Sequence, residues 1–453
     1  MKLLYRCCAG LDIHRDTVSA CIRKRVRGQA DALIEEQVFG TYTQELERLR
    51  SWLKKRHVHQ IAMESTGVYW IPVWNVLEGN FTLQLVNPAS VRALQGQKTD
   101  RIDARRIAEY LQYGLLRGSF IPPKPIRELR DLTRMRVHIQ QDRNRVVNRI
   151  ARLLETVNIK LASVASNIVG KSGHAMLRLL AAGRRDPEEL AGCALGQLRS
   201  KTAELIVALD GRPDEHFRWM LSELLRKLDR LDEELARVES RIEKLAVPYN
   251  DVVERLATIP GVDHTTALVL VSEFGTDMAQ FPTPAHLASW AGLCPGNAES
   301  AGKRFSGRTR KGDRYVRRVL VQSAWAASRT HDCFLAAVFF RTARRRGMKK
   351  AAVAVAHRIL VIAWHILAEQ GARYQERGGD FFDRSRPERT ARKLARRLDH
   401  IGYQVTLVRK TYAPERPPKA IIPASDCPRC HRWQLPACIC LCRHKGKPKN
   451  STQ

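Results

Sequence analysis

Cys8-Ala-Gly-Leu-Asp-Ile-His-Arg-Asp-Thr-Val-Ser-Ala-Cys-Ile22 reads as a strand, a turn and a second strand. Working outward, residues 36–42 add a candidate third strand. His59-Gln-Ile-Ala-Met-Glu-Ser-Thr-Gly67 is a short strand ending in a glycine turn, with a helix expected from Val68. Thr82-Leu-Gln-Leu-Val-Asn-Pro88 is a further strand, closed by a proline that cannot donate to a ladder. Residues 102–111 carry helical periodicity. Strands alternating with helices make residues 5–120 an α/β unit.

The chain has 453 residues, 78 Lys+Arg and 46 Asp+Glu, for a formal charge of +32. That length predicts two or three domains. The charge points to a polyanionic partner, held by contacts that weaken with salt as counterions are released. No signal peptide is expected at the N-terminus, where charged Asp12 comes too early. The most apolar stretch, 351–370, is interrupted by His357, Arg358 and His365, which argues against a membrane span. Six of the 11 cysteines are scattered, as suits reduced thiols in a cytoplasm.

Beyond residue 120 the pattern turns helical. Residues 127–161 place Leu132, Ile139, Val146 and Leu153 on one stripe, with Arg136 and Arg143 in intervening core slots. Leu221, Leu224, Leu228, Leu231, Leu235, Val238, Ile242 and Leu245 alternate by three and four, a heptad seam. Such a helix spans roughly 35–40 Å. Two readings stay open: a dimerising coiled coil, or an intramolecular hairpin with the first long helix. Leu256-Ala-Thr-Ile-Pro-Gly-Val262, followed by apolar residues 267–271, resembles a helix-hairpin-helix, whose glycine turn offers backbone N–H groups to a phosphate. Helices continue to about residue 375, a basic stretch covers 384–410, and a Pro- and Cys-rich tail follows.

Four carboxylates are the candidates for chemistry. Asp12 and Glu64 lie near the ends of two strands, and Asp100 and Asp103 are three apart at a helix start, on one side of it. A ribonuclease-H-like fold brings such elements together. Oxygen-only ligands suit Mg²⁺, with Mn²⁺ as substitute, and two such ions can serve both the attacking and leaving oxygens of a phosphodiester. The competing reading is ordinary: acids near strand ends are frequent, and Asp100 alone would cap a helix.

Local sequence favours the first reading. Gly10-Leu-Asp-Ile-His-Arg-Asp16, Glu64-Ser-Thr-Gly-Val-Tyr-Trp70, Val86-Asn-Pro-Ala-Ser-Val-Arg92 and Lys98-Thr-Asp-Arg-Ile-Asp-Ala-Arg-Arg106 together resemble the DEDD transposases of bacterial insertion sequences. These are bridge-RNA-guided recombinases related to pilin-gene invertases. The resemblance implies a RuvC-like metal site formed by Asp12, Glu64, Asp100 and Asp103. It continues through Ala288-Ser-Trp-Ala-Gly-Leu-Cys-Pro295, Ser300-Ala-Gly-Lys303 and Gly307-Arg-Thr-Arg-Lys-Gly-Asp-Arg-Tyr-Val-Arg-Arg-Val-Leu320. There it implies that Ser300 is a nucleophile joining covalently to DNA. Lys303, Arg304, Arg308, Arg310, Lys311, Arg314, Arg317 and Arg318 would supply cations for nucleic acid and for the charge developing on phosphorus. One departure stands out: the family commonly has Ser-Gly-Gly-Lys where this chain has Ser300-Ala-Gly-Lys303. Without the resemblance, Ser300 would read as a turn serine.

The expected architecture is therefore α/β plus all-α: an RNase H/RuvC-like domain over 1–120, coiled-coil helices over 121–248, a mostly helical serine recombinase domain over 249–385, and a basic, Cys-rich segment over 386–453. In that tail Cys427, Cys430, Cys438, Cys440 and Cys442 are candidate ligands for a structural zinc. Expected partners are donor and target DNA, a non-coding bridge RNA and further copies of the chain as homodimer or homotetramer, with no membrane. Two rivals remain. A RuvC-like endonuclease of the junction-resolvase type needs the acids without Ser300, and an inactive nucleic-acid-binding protein needs neither.

Overall fold

The opening stretch forms β1 (Cys7–Ile13) and β2 (Thr17–Arg25), and the His14 N–H donates to the Thr17 carbonyl at 2.9 Å across the bend. The computed structural model describes residues 3–26, 31–64, 67–87, 100–296, 298–300, 303–306 and 308–408. Contacts divide the chain into one unit at Met1–Asp380 and another at Phe381–Gln453.

Four more strands complete the first sheet: β3 (Ala32–Gly40), β4 (Gln60–Glu64), β5 (Thr82–Val86) and β6 (Gly118–Ser119). The order is β3-β2-β1-β4-β5-β6, with β1, β4 and β5 parallel and the other pairings antiparallel. This mixed sheet is compatible with the ribonuclease-H-like expectation. The third strand begins earlier than residues 36–42, because β2 pairs along its whole length from Thr17↔Gly40 to Arg25↔Ala32.

Period-two alternation sorts the two faces. Ala9, Leu11, Ile13, Ile61 and Met63 point to α1 (Thr43–Lys55) and α2 (Trp70–Leu77), which answer with Leu46, Leu49, Leu53, Val73, Trp74 and Leu77. The seam at Leu46, Leu49 and Leu53 keeps helical spacing, so α1 buries a single stripe. Cys8, Ala62 and Val86 point the other way, to Ile107 and Leu111 of α3 (Asp100–Gln112). Burial pushes the Cys8 and Cys21 thiols up to about 12, which keeps them as inert core groups.

From the sheet the chain enters α4 (Lys124–Thr156), passes through a helical knob that includes α5 (Lys171–Ala181) and α6 (Thr202–Leu209), and returns along α7 (Glu215–Ala246). Val146, Ile150 and Leu154 of α4 and Phe217, Leu221, Leu225 and Leu228 of α7 share that knob's core. Within the chain α7 therefore packs on α4 as an antiparallel hairpin. Arg136 reaches Glu239 at 2.7 Å, and Arg143 reaches Asp232, so the two misplaced core arginines are cross-links between the helices.

The C-terminal helices follow: α8 (Asn250–Ala257), α9 (His264–Phe274), α10 (Pro284–Trp290), α11 (Arg314–Ala327), α12 (Phe334–Arg346) and α13 (Met348–Ala368). The turn between α8 and α9 has the expected form but a different neighbour. A Cβ on Gly261 would lie 2.3 Å from the Ser323 carbonyl and 2.7 Å from the Ala327 nitrogen, so this glycine permits close approach of α11. Among the described residues α13 alone is long and apolar enough to cross a membrane. Its face of Ala352, Val355, Ala356, Ile359, Leu360 and Ala363 is buried inside this unit, and Trp364 on the same helix donates to the Phe281 carbonyl at 2.8 Å. In the second unit, α14 (Pro387–His400) has no buried residue.

Candidate active site

Three elements converge on one end of the α3-covered face. The parallel register pairs Gly10 with Ala62 and Leu11 with Met63, so one step further along both strands stand Asp12 and Glu64. Both lie two residues beyond Gly10 and Ala62 and so share their face, the one under α3. Contacts along α3 run opposite to β1. Cys8 Sγ lies 3.4 Å from the Ala108 carbonyl, while a Cβ on Gly10 would sit 2.3 Å from the Ala104 carbonyl. Two strand residues and four helical residues advance by nearly equal distances, about 6–7 Å, so the next step brings the start of α3 beside Asp12. That start carries Asp100 and Asp103.

Asp12 is 5% exposed, and its Oδ2 lies 3.2 Å from His14 Nε2. Glu64 is half-buried at the end of β4. Asp103 is half-buried too, with the Arg106 guanidinium 3.9 Å away. The Asp100 side chain lies outside the described residues. Among the described residues no three His, Cys, Asp or Glu side chains are gathered into a metal-holding group. The donors nonetheless fit a hard divalent cation, because Mg²⁺ is commonly held by one or two carboxylates plus water and substrate phosphate. His14 was missed in the sequence. Its signal was the two-residue offset from Asp12, which puts it on the same face of the extended chain.

Ser300 ends β7 (Ala298–Ser300), which pairs with β8 (Lys303–Ser306) in a register of Ser300↔Lys303 and Glu299↔Arg304. The side chains of Ser300, Lys303 and Arg304 lie outside the described residues. The base of this hairpin is fixed: the Gly296 N–H donates to the Arg308 carbonyl at 2.7 Å, and Pro295 bridges Thr309. Arg308, Arg310, Lys311, Arg314 and Arg318 are exposed, and Arg317 is half-buried. Cys427, Cys430, Cys438, Cys440 and Cys442 lie outside the described residues.

A buried network ties this region to α4. Arg134 donates to both oxygens of Glu273 at 2.8 and 2.7 Å, and its Nη2 lies 3.3 Å from Asp313. Arg130 reaches Glu273 Oε2 at 3.2 Å and the Ser272 carbonyl at 3.2 Å. Burial raises the Glu273 carboxyl, with the Arg134 guanidinium opposing the rise. Asp313 in turn caps α11, accepting from the Tyr315 and Val316 N–H groups at 2.9 and 2.8 Å. The helix that leaves the basic loop is therefore clamped to the helix that leaves the sheet. No sequence spacing announces this clamp, since Arg134 and Glu273 are far apart in the chain.

Two transposase family models match the chain. The DEDD transposase model of the IS110 type covers residues 9–159, and the model of the IS116/IS110/IS902 transposase family covers residues 253–338. The chain belongs to the IS110 family of insertion-sequence transposases. It is 25% identical over 376 residues to the transposase for insertion sequence element IS1111A of Coxiella burnetii, covering 80% of this chain and 89% of that protein. It is also 38% identical over 118 residues to an uncharacterised IS110 insertion-element protein of Streptomyces coelicolor, covering 24% and 28% of the two chains. This transposase is thus an enzyme acting on DNA. All four acids fall inside the first matched segment, and Ser300 with its cations falls inside the second.

Proposed function

We propose that this transposase cuts and exchanges DNA strands with a composite site: Asp12, Glu64, Asp100 and Asp103 on the sheet unit, and Ser300 on the downstream hairpin. The observation that carries the reading is the convergence of β1, β4 and the start of α3 on one face. Asp12, Glu64, Asp100 and Asp103 would hold Mg²⁺ or Mn²⁺, which supplies Lewis-acid stabilisation of charge on a phosphoryl group. Ser300 Oγ forms a bond to phosphorus, and the bond from phosphorus to the 3′ oxygen breaks. The proton leaving Ser300 ends on that 3′ hydroxyl, and the 5′ end stays on the enzyme as a phosphoserine diester. Attack by another strand's 3′ hydroxyl reverses these steps and reseals the DNA, with no net loss of phosphodiester bonds. Lys303, Arg304, Arg308, Arg310, Lys311, Arg314, Arg317 and Arg318 hold the phosphates and offset developing charge.

The same reading assigns residues 1–120 to the acids, 121–248 to the helical hairpin, 249–385 to the serine and 386–453 to a tail with a candidate structural zinc, in a cytoplasmic enzyme. It includes a bridge RNA and assembly into dimers or tetramers. Metal content of the purified chain tests the zinc, and co-purifying RNA of defined sequence tests the guide.

The deciding experiment traps the covalent adduct on donor DNA. Ser300→Ala is expected to abolish both adduct and recombination while leaving DNA binding intact. Cleavage that persists in Ser300→Ala would replace this reading with a junction-resolvase-type hydrolysis needing the acids alone.

A further inference from the structure

Arginine serves two purposes in this chain. Five guanidiniums of α4 are matched by carboxylates of other elements: Arg127 with Glu78, Arg130 and Arg134 with Glu273, Arg136 with Glu239 and Arg143 with Asp232. These charges are spent on holding helices together. The corner between α12 and α13 is built differently. There α12 ends in Arg344-Arg-Arg346, Gly347 turns the chain at φ 82°, and α13 begins Met348-Lys-Lys350. Arg344, Arg345, Arg346, Lys349 and Lys350 are all exposed, and none makes an ion pair among the described residues. Residues 333–368 contain no Asp or Glu, so neither helix can neutralise them.

Helix electrostatics separates the two halves of this cluster. Three arginines at the C-terminal end of α12 complement its dipole and need no ligand to explain them. Lys349 and Lys350 occupy the opposite situation. They sit in the first turn of α13, which has no acidic residue and no capping side chain, so each places positive charge on the positive end of a helix. That arrangement is intrinsically unfavourable, and an anion at the corner reverses its sign. The free N–H groups of the first turn would add donors to the same anion.

We propose that this corner is a DNA-backbone site, separate from the cations of residues 303–318, in which Arg344, Arg345, Arg346, Lys349 and Lys350 take phosphates of duplex DNA. It rests on DNA being the substrate and not on the serine mechanism. The site carries no base-reading geometry, so it contributes affinity and salt dependence without sequence preference.

The test measures binding of a labelled duplex by fluorescence anisotropy across a salt series in EDTA, so that metal-dependent strand cleavage does not enter. The triple variant Arg344→Gln/Arg345→Gln/Arg346→Gln is compared with Arg48→Gln/Arg145→Gln/Arg226→Gln. The second set changes net charge equally but removes exposed arginines engaged with Glu45, Asp142 and Glu223 on their own helices. The corner triple is expected to flatten the log–log salt slope by about 0.9 per lost phosphate contact and to weaken binding by roughly tenfold or more near 0.15 M salt. The control triple should move neither appreciably. Lys349→Gln/Lys350→Gln should weaken DNA binding while raising the melting temperature of the free protein, since it relieves the helix-end repulsion. Equal losses in the two arginine triples would mean a diffuse field and overturn the site. So would a loss confined to single-stranded RNA with duplex binding intact.

Discussion

Asp12 and Glu273 are both buried carboxylates, 5% and 0% exposed, and their surroundings could hardly differ more. Glu273 is gripped by Arg134 through both oxygens, with Arg130 beside it, so its charge is balanced by guanidiniums fixed on α4. Asp12 meets the His14 imidazole at 3.2 Å, on a face shared with Glu64 and the start of α3. A carboxylate balanced by fixed guanidiniums is a joint. A carboxylate set among other acids concentrates negative charge, which stabilises nothing in the protein itself and favours uptake of a cation. Under the proposed function, the contrast separates the parts that hold the molecule together from the parts that would act on DNA.

The largest expected effect tests the second kind of carboxylate. Asp12→Asn should lower strand cleavage and rejoining by about a thousandfold or more, as loss of several kcal/mol of metal-borne charge stabilisation predicts. Its denaturation midpoint should stay near that of the parent, without the fall expected for a broken joint. A normal rate in Asp12→Asn would remove the acids from the chemistry.

Glu273→Gln tests the first kind. It strips Arg130 of its ion-pair partner and leaves Arg134 with Asp313 alone, and such breakage of a buried pair costs up to about 3–5 kcal/mol. Urea unfolding should show that loss. Arg134→Lys should recover only part of it, because an ammonium cannot reproduce the two-pronged contact with Glu273. An unchanged midpoint in Glu273→Gln would mean that the clamp between α4 and the C-terminal helices is idle.

Gly10→Ala sits between the two. Its methyl would meet the Ala104 carbonyl at 2.3 Å and the Ala108 nitrogen at 2.4 Å, both backbone atoms that cannot rotate away. Pushing α3 off the sheet should cost about 1–3 kcal/mol, the usual range for overpacking. Activity should fall further than that loss of stability explains, because the start of α3 moves away from Asp12. Equal falls in Gly10→Ala activity and folded population would reduce Gly10 to a packing residue.

Much of the sheet was legible in sequence because strand and helix periods are local properties. The hairpin of β1 and β2, the strands ending near Glu64 and Val86 and the helix from Asp100 all follow from spacing and turn residues. The helices α1 and α5 went unread even though their stripes, Leu46, Leu49 and Leu53 in one and Met176, Leu177 and Leu180 in the other, are regular; α6 is too short and too apolar to show a clear period. Arg136 and Arg143 looked like flaws in a core stripe. Their partners, Glu239 and Asp232, are supplied by a helix 103 and 89 residues later, which no local pattern can reveal. The heptad seam on α7 likewise said that a partner helix exists and not which one, since a seam is equally satisfied by α4 or by another copy.

The sequence alone determined the family, most of the strands and the long helices, and the residue types available for phosphodiester chemistry, because each of these is written in short contiguous segments. Only the tertiary structure decided which carboxylates share a face and which are locked by arginine. It also decided which cations are left exposed at the corner between α12 and α13. The physical reason is that register, burial and ion pairing are set by contacts between segments far apart in the chain, and the energy of a charge depends on what those contacts bring beside it.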